Sequence, residues 1–105
     1  MKMVRAIIRP ERVDAVAGAL DANGFAALTR IDVFGRGKQK GLQVGTVVYD
    51  SLPKTMLIIV VEDEQLARAV EVIEETARTG NIGDGKIFIT PVEEAYTIRT
   101  GERGL

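Results

Sequence analysis

The sequence of 105 residues contains no cysteine and no histidine. Without cysteine the chain can form neither disulfides nor thiolate metal sites, and without histidine it lacks the most common general base and metal ligand. Lysine and arginine together number 14 against 15 aspartate and glutamate residues, a formal net charge of −1. Because nucleic-acid binding relies on broad positive charge, a nucleic-acid partner is not expected. Any basic site must be local.

Long apolar runs are also missing, so nothing in the sequence predicts a segment that spans a bilayer, and the chain opens on a strand-like stretch rather than a signal peptide. These absences predict a cytoplasmic protein. Hydrophobic residues make up 46% of the chain and charged residues 28%, which is typical of a soluble globular protein. We therefore expect a single domain over residues 1–105.

The most distinctive segment is Phe34-Gly35-Arg36-Gly37-Lys38-Gln39-Lys40-Gly41. Glycine lets backbone N–H groups approach an anion closely, and lysine or arginine adds charge. The pattern also fits an ordinary surface loop, and it is not a Walker A sequence. A second glycine-rich turn with a lysine, at residues 81–86, and a third cation near the end of the chain, Arg99, strengthen the phosphate interpretation. Three such turns in so short a chain predict one convergent anion site.

Apolar patterning predicts the order of the secondary structure. Strands are expected over residues 1–9, 25–33, 54–61 and 86–90, with a last short extended piece over residues 92–99. One helix is expected to begin at Pro10, and a second to follow the acidic residues 62–64, in which Asp63 is a candidate N-cap. Each helix has one apolar stripe, formed by Val13, Val16, Ala17 and Leu20 in the first and by Leu66, Ala69, Val70, Ile73 and Ala77 in the second.

This order predicts an α+β fold of the ferredoxin-like βαββαβ type, with a long loop between strands 2 and 3. Residues 40–52 show no helical period and fit a hairpin or a longer excursion, which we interpret as a protruding loop. Two helices cover only one face of a four-stranded sheet. The other face would carry alternate residues that are largely apolar, such as Ile7 and Ile58. An uncovered apolar face predicts self-association into a closed cyclic oligomer.

Several short motifs occur together along the chain: Met1-Lys2 with Ala6-Ile7-Ile8-Arg9-Pro10, Gly35-x-Gly37-x-Gln39-Lys40-Gly41, Leu52-Pro53-Lys54, the run from Thr79 to Phe88, and Ile98-Arg99-Thr100-Gly101-Glu102. In this combination the sequence resembles the P-II signal-transduction family of nitrogen-status sensors, over residues 1–102. The resemblance implies a ferredoxin-like trimer with its sheets packed inward. It also implies a protruding T-loop at about residues 36–53 and a C-terminal tail at about residues 100–105.

The resemblance further implies that ATP or ADP binds in each cleft between subunits. The 35–39 turn would come from one subunit, and Thr29, the 83–86 turn and Arg99 from its neighbour. Gln39 would supply a carbonyl oxygen to Mg²⁺, which in turn would hold 2-oxoglutarate, and Lys54 would pair with the distal carboxylate. The implied ATP-binding residues are Thr29, Gly35, Gly37, Lys38, Gln39, Gly83, Asp84, Gly85, Lys86 and Arg99, and the implied 2-oxoglutarate-binding residues are Gln39, Lys54 and Gly83.

The loop sequence is most similar to the P-II subgroup encoded beside nitrogenase genes. Members of that subgroup act with a second related subunit and inhibit dinitrogenase until MgATP and 2-oxoglutarate release it. The resemblance therefore implies an enzyme regulator rather than an enzyme, acting as a homotrimer or as a mixed oligomer with a second P-II-like subunit. The alternative is a P-II regulator of an ammonium channel, which would bring it to a membrane, or of nitrogen-assimilation enzymes. The residues expected to contact the partner are Leu42, Val44, Val48 and Tyr49.

Two features depart from the pattern of the family. Thr97 stands where an arginine is common, which removes one expected phosphate contact and leaves the preference between ATP and ADP open. The T-loop is short and lacks the usual sequence around the modified tyrosine, so uridylylation of Tyr49 is not expected.

Two other functional classes fit the fold less well. A phosphate-transferring enzyme would need catalytic groups, but no paired carboxylates lie near the glycine-rich turns in the sequence. A metal-tolerance trimer would need soft ligands, which a chain without histidine and cysteine lacks.

Overall fold

The computed structural model describes residues 1–38, 42–44, 47–49 and 51–105, with only the backbone described for 42–44 and 47–49. A turn of 3₁₀ helix precedes each α-helix, at Pro10–Arg12 and at Asp63–Gln65. In chain order the elements are β1 (Lys2–Ile8), α1 (Val13–Ala22), β2 (Thr29–Gly35), β3 (Leu42–Val44), β4 (Val47–Tyr49), β5 (Leu52–Val61), α2 (Leu66–Ala77) and β6 (Gly85–Pro91).

The main sheet has the strand order β2-β5-β1-β6, and every pair of adjacent strands in it is antiparallel. With both helices on one face, this confirms the predicted ferredoxin-like α+β fold. Strands β3 and β4 pair with each other in a separate two-stranded sheet, so the long loop contains a hairpin. Because β5 begins at Leu52, the last two residues of the predicted T-loop belong to the main sheet.

The core lies between the two helices and one face of the sheet. Alternate residues of β1 and β5 point into it, because side chains along a strand alternate between its faces. The apolar stripes of the helices were largely predicted, but Val72 was missed and is 3% exposed, whereas Val70 is only half-buried. The buried apolar residues are Val4, Ala6, Ile8, Val13, Val16, Leu20, Phe25, Leu57, Ile59, Val61, Ala69, Val72, Ile73 and Ala77.

The opposite face of the sheet is not covered within one chain. Ile7 and Ile58 are half-buried there, while Ile31 and Phe88 are 42% and 49% exposed. Arg5 sits between Ile58 and Phe88 in the strand register. This open face is therefore mainly apolar, as the strand patterns predict, and the oligomer inferred from it stays a prediction.

Some predicted boundaries were wrong. Strand β2 begins at Thr29 rather than near residue 25, because Phe25 completes the end of α1. The Phe25 N–H donates to the Leu20 carbonyl at 2.8 Å, and the Phe25 ring is buried in the core. Gly24, with φ of 90°, makes the turn that follows α1. Asp63 is not an N-cap: it lies inside the 3₁₀ turn and pairs with the amino group of Met1 at 3.1 Å.

The predicted extended piece over residues 92–99 is also wrong. After Pro91 the chain turns back on itself and forms a single bridge between Tyr96 and Arg103. The Thr97 N–H donates to the Glu102 carbonyl at 2.9 Å, and the Gly104 N–H donates to the Ala95 carbonyl at 2.8 Å. We call residues 95–104 the C-terminal hairpin.

Candidate functional site

Two of the three predicted basic turns meet at one end of the sheet. They line an open groove with a volume of about 360 Å³. Gly35 pairs with Leu52 where β2 and β5 meet, and Ile8 pairs with Gly85 where β1 and β6 meet. These pairs lie at the same end of adjacent strands, so the sheet brings the turns together. The lining residues are Ile7, Gly35, Arg36, Gly37, Lys38, Leu52, Lys54, Ile82, Gly83, Gly85 and Lys86.

The groove is strongly positive. Arg36, Lys38, Lys54 and Lys86 line it, and no acidic residue is among its described lining residues. The whole chain, in contrast, has a net charge of −1. Burial, followed by the positive charge of Arg9, lowers the pKa of the Lys54 ammonium from its ordinary value. Cations held this close together favour an anionic ligand, which would relieve their mutual repulsion.

The second turn is fixed by the carboxylate of Asp84. Its oxygens accept the Thr79 amide at 2.8 Å and the Gly80 amide at 2.9 Å, together with the Thr79 hydroxyl. These bonds, the hydroxyl bond foremost, hold the pKa of Asp84 well below its usual range. The carboxylate therefore shapes the turn, and its described bonds are to the turn and to Arg9.

Arg9 is a site residue to which sequence reasoning gave no role. Its Nε donates to Asp84 Oδ1 at 3.1 Å, and its Nη2 donates to the Ile82 carbonyl at 2.8 Å. The Lys54 ammonium donates to the Gly83 carbonyl at 2.6 Å from the other side. The sequence shows only that Arg9 and Asp84 carry opposite charges. Their proximity can be inferred only once the register of β1 and β6 is known.

Glycine is required at the end of this turn. Gly85 has φ of 109°, and a Cβ there would lie 1.7 Å from the Ile7 carbonyl oxygen. Gly83 has φ of 101°, and a Cβ there would meet the Arg9 guanidinium at 3.2 Å. These positions need both the left-handed backbone and the missing side chain, so the turn can approach β1 closely.

The structure places the predicted site residues in two groups. Both turns and Lys54 line one groove of a single chain, whereas we expected the turns to come from different subunits. Thr29 begins β2 while Gly35 ends it, so the two are about 20 Å apart at the usual rise per residue. Arg99 follows Pro91, which pairs with Lys2 at the end of the sheet away from the groove. Thr29 therefore lies far from the groove of its own chain, and Arg99 is not among the described lining residues of that groove.

Other predicted residues cannot be placed. Gln39, expected to contact Mg²⁺, ATP and 2-oxoglutarate, lies outside the described residues. Leu42, Val44, Val48 and Tyr49 have a described backbone but no described side chains. Within the described part of the chain, no group of three or more acidic side chains forms a metal site. The glycines and cations present fit phosphate or carboxylate groups, whereas the described lining residues offer no carboxylate to a Mg²⁺ ion.

The fold and the groove together define a ferredoxin-like α+β protein with a basic, glycine-rich groove. Residues 1–102 match the family model described as nitrogen regulatory protein P-II. The chain belongs to this P-II family of nitrogen regulatory proteins. Across the residues that the structure describes, none of the helices has the length and apolar character needed to cross a membrane.

Curated relatives agree with this family. A protein of Methanothermobacter marburgensis described as nitrogen fixation nifHD region GlnB-like protein 1 is 63% identical over 105 residues, the full length of both chains. A protein of Methanococcus maripaludis with the same description is 54% identical, again over the full length of both. Nitrogen regulatory protein P-II of Azospirillum brasilense is 46% identical over 108 residues, covering 99% of this chain and 96% of its own.

Proposed function

We propose that this nitrogen regulatory protein senses nitrogen status by binding ATP or ADP and, with Mg²⁺, 2-oxoglutarate in its groove, and that it controls a target protein through the T-loop. The observation that carries the proposal is the charge of the groove. Four cations and four glycines line one cleft in a chain whose net charge is −1. Backbone N–H groups at the glycines and ammonium groups around them suit the oxygens of a polyphosphate.

Lys54 is the residue best suited to a carboxylate of 2-oxoglutarate. Its ammonium already donates to the Gly83 carbonyl, and an ammonium has three donors, so others remain for a ligand. The lowered pKa of Lys54 reflects partial burial beside Arg9. An anion bound beside Lys54 would offset the repulsion between the positive charges of Lys54 and Arg9.

The site lies against both roots of the T-loop. Gly35 pairs with Leu52 at the edge of the groove, so the chain leaves the sheet and returns to it beside the bound ligand. A ligand that contacts Lys38 on one side and Lys54 on the other would favour one arrangement of the loop over another. Differential affinity for two loop arrangements is what a ligand-controlled switch requires.

Assembly would complete the site. The open apolar face of the sheet suits a trimer with its sheets packed inward, either of identical chains or with a second P-II-like subunit. In such an assembly Thr29 and Arg99, which are not among the described lining residues of their own groove, would serve the groove of a neighbour.

For the target we propose dinitrogenase, inhibited until MgATP and 2-oxoglutarate release the regulator. The support is the relatives named for a nifHD region. Regulation of an ammonium channel, or of nitrogen-assimilation enzymes, is the alternative, since the relative from Azospirillum brasilense is named only as nitrogen regulatory protein P-II.

Effector binding is tested with Lys54→Met, which keeps the length of the side chain but removes its charge. We expect calorimetric titration to show no 2-oxoglutarate binding to the MgATP-loaded variant, while ATP alone binds about as well as to wild type. Lys38→Met is the matched control, because it should weaken ATP binding instead. Equal 2-oxoglutarate affinity in wild type and Lys54→Met would contradict the assignment.

The target is tested by affinity capture from nitrogen-replete, nitrogen-fixing cells, followed by a wash with MgATP and 2-oxoglutarate. Release of dinitrogenase together with a sister P-II chain supports the inhibitor proposal. Release of a membrane channel favours the alternative. Failure of the effectors to release any bound protein would contradict the loop-switch mechanism itself.

A further inference from the structure

Three side chains close the base of the C-terminal hairpin, two that belong to the hairpin and one that directly precedes it. The carboxylate of Glu94 forms an ion pair with Arg103 and accepts the Tyr96 hydroxyl at 3.0 Å. The Arg103 guanidinium in turn lies 5.9 Å from the centre of the Tyr96 ring, within cation–π range. We call Glu94, Tyr96 and Arg103 the latch.

The latch lies at the base of a turn that carries a cation. The bridge between Tyr96 and Arg103 closes the hairpin, and the Gly101 N–H donates to the Thr97 carbonyl at 2.7 Å. Ile98, next to Arg99 in this turn, is 100% exposed, and Arg99 itself is exposed. The hairpin therefore displays Arg99 at its tip, away from the body of its own chain.

Few described bonds join the hairpin to the rest of the chain. The segment that leads into it is tied to β1 by the Val92 N–H, which donates to the Met1 carbonyl at 3.1 Å. An isolated two-stranded hairpin is only marginally stable in water. The shape of this hairpin thus depends on its internal contacts, and the latch supplies the side-chain pairs that the structure describes at the base of the hairpin.

We propose that the latch is a positioning device that presets Arg99 for the phosphates of a nucleotide bound in the groove of a second copy of the chain. The inference rests on the proposed function, because it takes the groove as the nucleotide site. Arg99 is the cation of the hairpin turn, and Thr97 beside it is uncharged. A turn already closed before binding loses less conformational freedom when Arg99 meets the phosphate.

The test uses Glu94→Gln in the full chain, with MgATP as the probe in calorimetric titration. We expect ATP binding to weaken about two- to fivefold, the range for losing an exposed ion pair. Arg99→Ala should weaken binding about tenfold, as expected for a charge-assisted hydrogen bond to phosphate. Because the latch acts through Arg99, the double variant Glu94→Gln/Arg99→Ala should bind ATP no more weakly than Arg99→Ala alone.

Two further variants separate positioning from general damage. Glu93→Gln removes a neighbouring exposed carboxylate that pairs with no cation in the described part of the chain, and it should leave ATP affinity unchanged. Exchanging the charges with Glu94→Arg/Arg103→Glu should restore part of the lost affinity. Amide hydrogen exchange at Gly101 and Gly104 reports whether the hairpin has opened, and should be faster in Glu94→Gln than in Glu93→Gln.

The outcomes distinguish the two proposals. Faster exchange in Glu94→Gln with unchanged ATP affinity would make the latch purely structural and overturn this inference alone. Additive losses in the double variant would also overturn it. If wild-type protein binds no ATP, the proposed function fails and the positioning role fails with it.

Discussion

The two glycine-rich turns that line the groove are held in different ways. The turn that ends at Lys86 is held by several bonds, and we call it the pinned turn. The Asp84 carboxylate accepts the amides of Thr79 and Gly80, while Arg9 and Lys54 donate to backbone carbonyls of the turn. The turn at residues 35–38 is held at its base, where Gly35 pairs with Leu52. Within the described residues, neither Arg36 nor Lys38 has an ion pair, and both are exposed.

The two turns form the two walls of the groove, and because they are held differently we expect them to contribute differently to stability and to binding. The pinned turn presents its glycine amides and Lys86 in a preset arrangement, which lowers the entropy lost on binding. In the proposed function, the other turn is the root of the T-loop, where a bound ligand would act on the loop. Changes in the first wall should therefore affect stability as well as binding, and changes in the second should affect binding alone.

The largest effect is expected from Gly85→Ala. Its Cβ would collide with the Ile7 carbonyl, and its φ of 109° is unfavourable for alanine, so β1 and β6 must separate locally. We expect a loss of at least about 3 kcal/mol in the free energy of unfolding, measured in urea. Gly35→Ala is the control in the other wall, because its Cβ would meet nothing within 4 Å. Similar losses for both variants would contradict the comparison.

A smaller effect is expected from Asp84→Asn. Hydrogen bonds lower the pKa of Asp84 in the folded protein, so its ionised form adds stability above the unfolded pKa of about 3.9. That contribution is lost as the pH falls toward the folded pKa. The melting temperature of the variant should be clearly lower than that of wild type at pH 7, and the gap should narrow as the pH falls from 4 to about 2.

Asp14→Asn provides the matched control for this pH series, since Asp14 is fully exposed and lies 3.9 Å from Arg30. It should change the melting temperature little at any pH. A gap for Asp84→Asn that stays constant between pH 7 and pH 2 would show that the carboxylate charge does not hold the turn.

The smallest effect on stability is expected from Lys38→Gln. The side chain is exposed, so the free energy of unfolding should stay within about 0.5 kcal/mol of wild type. ATP affinity should nevertheless fall about tenfold, because a charged hydrogen bond to phosphate is lost. A clear loss of stability would mean that this wall is as firmly built as the other.

Much of the fold was predictable because local signals agree with one another. Glycine and proline mark the ends of strands, and apolar periods identify both helices. The wrong predictions concern segments whose structure is decided by contacts between residues far apart in the sequence. Phe25 looks like the start of a strand but bonds back to α1 and is buried in the core, and residues 92–99 look extended but form, among the described residues, a single bridge between Tyr96 and Arg103.

The site was predictable in composition but not in arrangement. Glycines and cations in the sequence predicted both turns, and the resemblance to the P-II family predicted a role for Lys54. The link between Arg9 and Asp84 required the register of β1 and β6, which no local pattern contains. The strand order likewise shows what no local pattern contains, that one chain brings both turns to a single groove, whereas the sequence analysis assigned them to different subunits.

The pairing of Gly35 with Leu52 also bears on how such proteins diverge. The sheet fixes the two ends of the intervening segment side by side, whatever that segment contains. For a flexible loop closed in this way, each doubling of length costs only about 0.6 kcal/mol. Insertions, deletions and replacement beyond Lys38 would leave the described lining residues of the groove and the turn that ends at Lys86 unchanged. If the proposed function holds, proteins with this fold can acquire new targets through changes in that one segment of the sequence.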